Sequence, residues 1–290
     1  MKRVSNLKKV LILAGIYIFC SCNPFKYHKI TITIDDNCTL EQQTVAYEVI
    51  NKRVSSIWRV KEKTDLIDGK FDLIYSGQDS MLTQILTDKG EVYITEMYQQ
   101  NEIQSPRDTV YKRLSWLMEN TDHKPHWQID SYQIRTPNLI NVPLQQVLYI
   151  DSIFNSYQRL FPADISFAWT AKPNRESFFN LLPLKTSHKL SLNPSTVKNC
   201  NIYYRSSHPE LYIELEKGYI EEWASMTRDN ISRCLAIVMD GKVLMYPTVQ
   251  SEIVGGKLTI VGDFDNNELS LIKSVILGGV LDCKAQIINQ

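Results

Sequence analysis

Few residues in this chain stand at spacings that could do chemistry. His123 and His126 are spaced like metal ligands, but Pro125 breaks any helix that would align them and no third ligand stands nearby. A surface loop is expected there. The run DFDNNE at 263–268 opens like a calcium loop yet lacks the glycine and the distal glutamate, so a turn and helix N-cap is expected instead. Asp240 follows an apolar run and precedes Gly241, which reads as a type I′ hairpin turn before it reads as a catalytic carboxylate. Thr227, Asn230 and Arg233 recur at three-residue steps, where they either line a cleft or serve caps and main-chain hydrogen bonds. Phosphate-binding G-x-x-x-x-G-K-[ST], zinc-binding H-E-x-x-H and nucleophile-bearing G-x-S-x-G patterns are all missing. The chain is expected to be no enzyme, with no metal and no cofactor.

One cysteine does carry a chemical expectation. Lys2, Arg3, Lys8 and Lys9 precede an apolar run from Val10 to Phe19, half the roughly 20 residues needed to span a bilayer core. A basic segment before a short apolar one is a secretory signal, and IFCSCNP at 18–24 resembles a bacterial lipobox with small Ser21 before Cys22. Residues 1–21 are therefore expected to be a lipoprotein signal peptide, Cys22 the acylated anchor, and 22–29 a tether. Asn23 in place of an aspartate favours the outer membrane over the inner, and the lack of a following acidic cluster points to the periplasmic face. Cys38, Cys200, Cys234 and Cys283 stand far apart without a C-x-x-C pair, and buried free thiols are expected.

The chain has 290 residues with 32 basic and 32 acidic side chains; without the four basic residues of the signal the balance is 28 against 32, or −4. A mildly acidic chain without a basic block is not expected to bind nucleic acid. The 269 residues after the signal suffice for one large or two modest domains.

Elements follow from periodicity. Ile30, Ile32 and Ile34 alternate as a strand; Thr39 and Gln42 form a capping box before a helix over 40–57. Phe71, Leu73 and Tyr75 give a strand, Asp79 caps a helix bearing Leu82, Ile85 and Leu86, and Val92 and Ile94 give another strand. Residues 99–145 read as mostly irregular, followed by a helix over 148–160 and a strand over 165–170. Leu211 to Leu215, 234–239, Val243 to Tyr246, Leu258 to Val261 and Ala285 to Ile288 are expected strands. Helices carry Ile220, Trp223, Ala224 and Thr227, and then Leu269, Ile272, Val275 and Ile276 behind an Asp265–Glu268 cap.

The stretch WASMTRDNISRCLAIVMDGKVLMYPTVQSEIVGGKLTIVGDF (223–264) resembles the head of the first periplasmic domain of SecD, fused as SecDF in some bacteria. Thr227, Asn230, Arg233, LAIVMDG (235–241), Val243, Pro247, Ile253, Gly256, Ile260, Gly262 and Phe264 carry it. LFPADISFAWTAKP (160–173) is similar to a segment that SecDF proteins of the Bacteroidota place before the head, and 47–57 and 71–98 are similar to the base. The resemblance implies an α+β fold: a ferredoxin-like βαβ base over 30–140, completed by 265–290, with an inserted or appended α/β head over 141–264. It further implies a non-catalytic module that meets unfolded or nascent exported polypeptide, or the Sec machinery. The transmembrane helices that follow this domain in SecD do not occur before Gln290, so binding without proton-driven pulling is expected. An added peptide strand with apolar pockets is one way to hold such polypeptide. Trp223, Thr227, Asn230, Arg233, Tyr246 and Pro247 are the candidate contacts, and Tyr203, Tyr204, Tyr212 and Tyr219 are frequent nearby. An envelope lipoprotein with a structural or protein-interaction role and none in export is the alternative.

Overall fold

The computed structural model describes residues 26–77, 79–120, 137–205 and 208–289. The signal segment, Cys22, His123 and His126 lie outside the described residues. The alternating isoleucines bury one side of β1 (His28–Ile34), which begins two residues inside the expected tether. The capping box opens α1 (Leu40–Ile57): Thr39 N–H donates to Gln42 Oε1 at 2.8 Å and Gln42 N–H to Thr39 Oγ1 at 3.3 Å. β2 (Arg59–Lys63) and β3 (Lys70–Ser76) pair antiparallel, and α2 (Asp79–Thr87) packs against α1. The side chain of Asp79, the expected cap, lies outside those described.

A long excursion follows. It runs through β4 (Val92–Met97), α3 (Gln104–Asn120), β5 (Ile140–Pro143), α4 (Val147–Ser156), β6 (Ile165–Trp169), β7 (Phe178–Ser191), β8 (Val197–Arg205) and β9 (His208–Leu215). It continues through α5 (Ile220–Asp229), β10 (Leu235–Met239), β11 (Lys242–Met245) and β12 (Lys257–Ile260). Then α6 (Asn266–Gly278) and β13 (Ala285–Asn289) bring the chain back.

β13 pairs with β1, giving an antiparallel sheet ordered β13-β1-β3-β2. With α1 and α6 as the crossovers this is a ferredoxin-like βαββαβ layout. The expected α+β class is the observed one, and the excursion from β4 onwards is inserted into this layout between β3 and β13. Residues 30–140 divide between two sheets. β1 to β3 stay in the base sheet, whereas β4 is central in a second sheet ordered β11-β10-β4-β7-β5, with β6 also on β7. A third sheet is ordered β12-β9-β8. α6 joins the two parts: Leu269, Ile272, Val275 and Ile276 enter the core with Cys200, Leu211 and Ile213 of β8 and β9, while the helix also packs on α1.

Three expectations change. Residues 99–145 contain α3 and β5, because Ile103, Val110, Leu114 and Leu117 bury a stripe with Ile140 and Val142. Pro106 is tolerated there, since first-turn N–H groups have no helical partner anyway. β2, β7 and β8 were not expected: β2 is the mostly exposed, charged RVKEK, and β7 carries Pro183 and bends where its register jumps between Lys189 opposite Thr95 and Leu184 opposite Met97. The Thr95 hydroxyl faces the carbonyls of Lys185 and His188 in that gap. Cys38 and Cys283 are not free thiols but a disulfide, with Cα atoms 6.4 Å apart. The pairing of Ile34 with Ala285 sets their two loops side by side. Cys200 is a buried free thiol whose burial pushes its pKa up to about 12, and Cys234 is half-buried beside Thr248.

Candidate polypeptide-binding surface

The chain leaves the base near residue 88 and re-enters near 279, and Arg53 of α1 sits between the two crossings. Its guanidinium is wholly buried. Nη1 donates to the carbonyls of Ile85 and Asp88 at 2.9 and 2.8 Å, and Nη2 to those of Lys89 and Gly279 at 2.8 and 2.7 Å. Nε adds a second bond to Gly279 at 3.2 Å. One side chain thus caps the C-terminal ends of α2 and α6, where carbonyls lack helical partners and the dipole is negative. Burial lowers the Arg53 pKa to about 10 against the pull of Asp240 and Asp88, which leaves it a cation at neutral pH. Asp240 and Gly241 have φ of 48° and 77°, as a type I′ turn requires. The Asp240 carboxylate accepts from the N–H groups of Gly90 and Glu91 at 3.0 and 2.8 Å, so it fastens the outgoing crossing. No local sequence signal marks Arg53; the tight glycines opposite it, Gly90 and Gly278, are its nearest trace.

The candidate contacts separate into buried and accessible groups. Trp223, Thr227 and Asn230 on and after α5 are buried, which corrects their expected place on a binding surface. Thr227 Oγ1 lies 3.0 Å from the carbonyls of Trp223 and Ala224 and accepts from Ile253 N–H at 2.9 Å. Asn230 Nδ2 donates to Met226 O at 2.9 Å. The apolar stripe of a short helix and its C-terminal cap account for all three. Arg233 reaches across to Glu102 at 2.7 Å and is only partly covered. Tyr246 is half-buried, its hydroxyl accepting from Asn180 Nδ2 at 3.0 Å, and Pro247 is exposed. Asp265 and Glu268 are used in their own capping box, with Lys172 Nζ 2.6 Å from Glu268.

A band of charge runs beside Arg233. Burial works against ionising Glu96, but Lys185 at 3.0 Å, with His188 and Asn230, outweighs it and holds the pKa below the ordinary carboxylate value. Glu102 is likewise lowered, burial being outweighed by the Gln99 N–H and Arg233. Tyrosines stand out on the third sheet: Tyr203 is 51% and Tyr204 68% exposed, with Tyr203 edge-on to Tyr212 at 5.9 Å.

The family comparison falls on this part of the molecule. Residues 182–283 match the family model of the SecDF P1 head subdomain. The matched range opens inside β7 and closes at the disulfide cysteine of the base, so it takes in the whole third sheet, α5 and α6. SecD of Sebaldella termitidis is 33% identical over 99 residues, 34% of this chain and 24% of that protein. SecD of Syntrophobacter fumaroxidans is 30% identical over 115 residues, 37% of this chain and 21% of that protein. The chain spans about a quarter or less of the length of these curated relatives. A crystal structure of SecDF in its super-membrane-facing form aligns with a TM-score of 0.50 at 15% identity, over 98% of this chain and 34% of that one. At that identity the likeness is one of fold. Among the described residues no helix is long and apolar enough to cross a membrane.

Proposed function

We propose that this chain is a non-catalytic module of protein export, anchored through acylated Cys22 and facing the periplasm, that binds exported polypeptide or a component of the Sec translocon. The observation that carries the reading is the match of residues 182–283 to the SecDF P1 head, set on a ferredoxin-like base. The base is drawn as 28–87 with 279–289, and the head as the insertion between them. Arg233, Tyr246 and Pro247 are the accessible remainder of the candidate contacts, and they lie near one another through β10 and β11: Leu235 N–H donates to Pro247 O at 3.2 Å. A half-buried tyrosine beside an exposed proline offers apolar contact without a demand for sequence.

Photocrosslinking from Tyr246 in intact cells tests the reading. Capture of exported chains or of Sec subunits is the expected result. Recovery of neither, together with normal secretion in a deletion strain, would overturn it in favour of an envelope interaction lipoprotein with no export role.

A further inference from the structure

The outer strands of the three sheets are blunted, with one exception. β2, β5, β6, β11, β12 and β13 each run five residues or fewer; β2 is RVKEK and β5 ends in Pro143. Short length, charge and proline are how proteins keep sheet edges from pairing with other chains. β8 is the exception in length: it is nine residues, VKNCNIYYR, without proline, and it ends the sheet ordered β12-β9-β8. Its register shift lies at its start, between Val197 and Asn199, and of its two charges Lys198 pairs with Glu214 of β9 at 3.0 Å and Arg205 is its last residue, so the stretch Cys200–Tyr204 carries neither charge nor shift.

The register shows which of its main-chain groups are spare. Leu215 N–H donates to Gly256 O at 2.8 Å on the β12 side of β9. Alternation along β9 then turns Ile213 and Leu211 towards β12, and Tyr212 and Glu210 towards β8. Their partners Asn201 and Tyr203 bond inward, so the N–H and C=O groups of Cys200, Ile202 and Tyr204 point to the open side. Pro209, opposite Tyr204, agrees: it has no N–H to give to an inward bond at that pair. Among the described residues no other strand pairs with that side.

We infer that the outer edge of β8 is a docking site for one extended polypeptide segment, which adds to the sheet as a fourth strand. Main-chain bonds to Ile202 and Tyr204 supply affinity without reading sequence. Alternate side chains of the segment meet Tyr203 with Tyr212 on the solvent face, and on the other face Tyr204, whose hydroxyl is 2.6 Å from Asn266 Oδ1. That surface suits uncharged, β-prone segments, which pair along an edge without burying an unmatched charge. The inference rests on the polypeptide-binding function proposed above and gives it a place.

The test uses the full chain in detergent with reduced, carboxymethylated α-lactalbumin as a permanently unfolded probe. Tyr204→Pro removes an outward N–H that β9 does not use, and about tenfold weaker probe binding is expected, the loss of about one hydrogen bond or more. Tyr204→Phe, which loses only the bond to Asn266, should bind as the parent does. A photoreactive residue at Tyr203 should capture the probe more strongly than one at Tyr246. Binding by a folded Tyr204→Pro chain equal to the parent's, or capture at Tyr246 alone, overturns the edge site and leaves the binding function standing. A parent that is dimeric by light scattering, a monomeric Tyr204→Pro chain and unchanged probe binding would assign the edge to a second copy instead. A parent that binds no probe overturns both.

Discussion

Arg53 donates to the carbonyl oxygen of Gly279 at 2.7 Å, joining α1 to the point where the chain returns from α6 to the sheet of β1. The same guanidinium holds the outgoing crossing through Ile85, Asp88 and Lys89, so both crossings depend on one side chain. Replacing Arg53 by Met leaves these buried carbonyls without donors and should cost about 3–5 kcal/mol in urea unfolding. Arg53→Lys should recover only part, since an ammonium lacks the five-donor fork. A loss below about 1 kcal/mol for Arg53→Met would show that the crossings hold without it.

Gly278 faces the stem of the same arginine. A Cβ there would sit 2.2 Å from Arg53 Cγ and 3.0 Å from its backbone nitrogen. Gly278→Ala should destabilise by more than about 2 kcal/mol through overpacking. Half a kcal/mol or more, at roughly that scale, should be relieved in an Arg53→Ala background, because the nearest clashing atom is then gone. Additive losses would contradict the contact.

The Cys38–Cys283 disulfide joins positions 245 residues apart and closes the base around the whole insertion. Constraining so long a loop in the unfolded chain should stabilise by about 2–5 kcal/mol. Unfolding with and without a reductant, and of Cys38→Ser with Cys283→Ser, should show that difference. An unchanged midpoint would argue against the bridge.

Glu102 predicts an acid-sensitive contact. Its burial raises the pKa, but the Gln99 N–H and Arg233 together hold it below the ordinary 4.5. As pH falls the unfolded chain takes up the proton first, so this stabilisation is complete above about pH 4.5 and is lost as pH drops through the lower folded value. Glu102→Gln should flatten the acid limb of a plot of urea midpoint against pH. A limb as steep as the parent's would remove Glu102 from the account.

Cys22→Ser should move the chain from the membrane pellet to the soluble fraction and abolish palmitate labelling. Retention in the pellet after carbonate washing would argue for another anchor.

Much of the fold was legible. Both capping boxes form as the spacing of Thr39 with Gln42 and Asp265 with Glu268 requires. Alternation in β1, β3, β9 and β12 survives because each buries one face of an antiparallel sheet. α3 was hidden by Pro106, Arg107 and Asp108 in its first turn, where polar residues and proline also mark loops. β7 was hidden by a mid-strand proline and by the bend beside Thr95. Of the candidate site, Arg233, Tyr246 and Pro247 kept access to solvent, whereas Trp223 and Thr227 share a period that marks a core stripe as readily as a cleft.

Periodicity, caps and turns are local, so the sequence by itself determined most elements outside 99–145 and 178–205, and the pattern over 223–264 that resembles the SecD head, with the α+β class that the resemblance implies. Tertiary structure alone decided which elements meet over long separations. It paired Cys38 with Cys283, set the excursion from β4 to α6 between α2 and β13, and left β8 as the one long open edge among the described residues. It also buried Arg53, whose neighbours along α1 give no sign of it. The carbonyls it binds lie 32 to 226 positions away, and contacts at that range are set by sheet order, which no local spacing encodes.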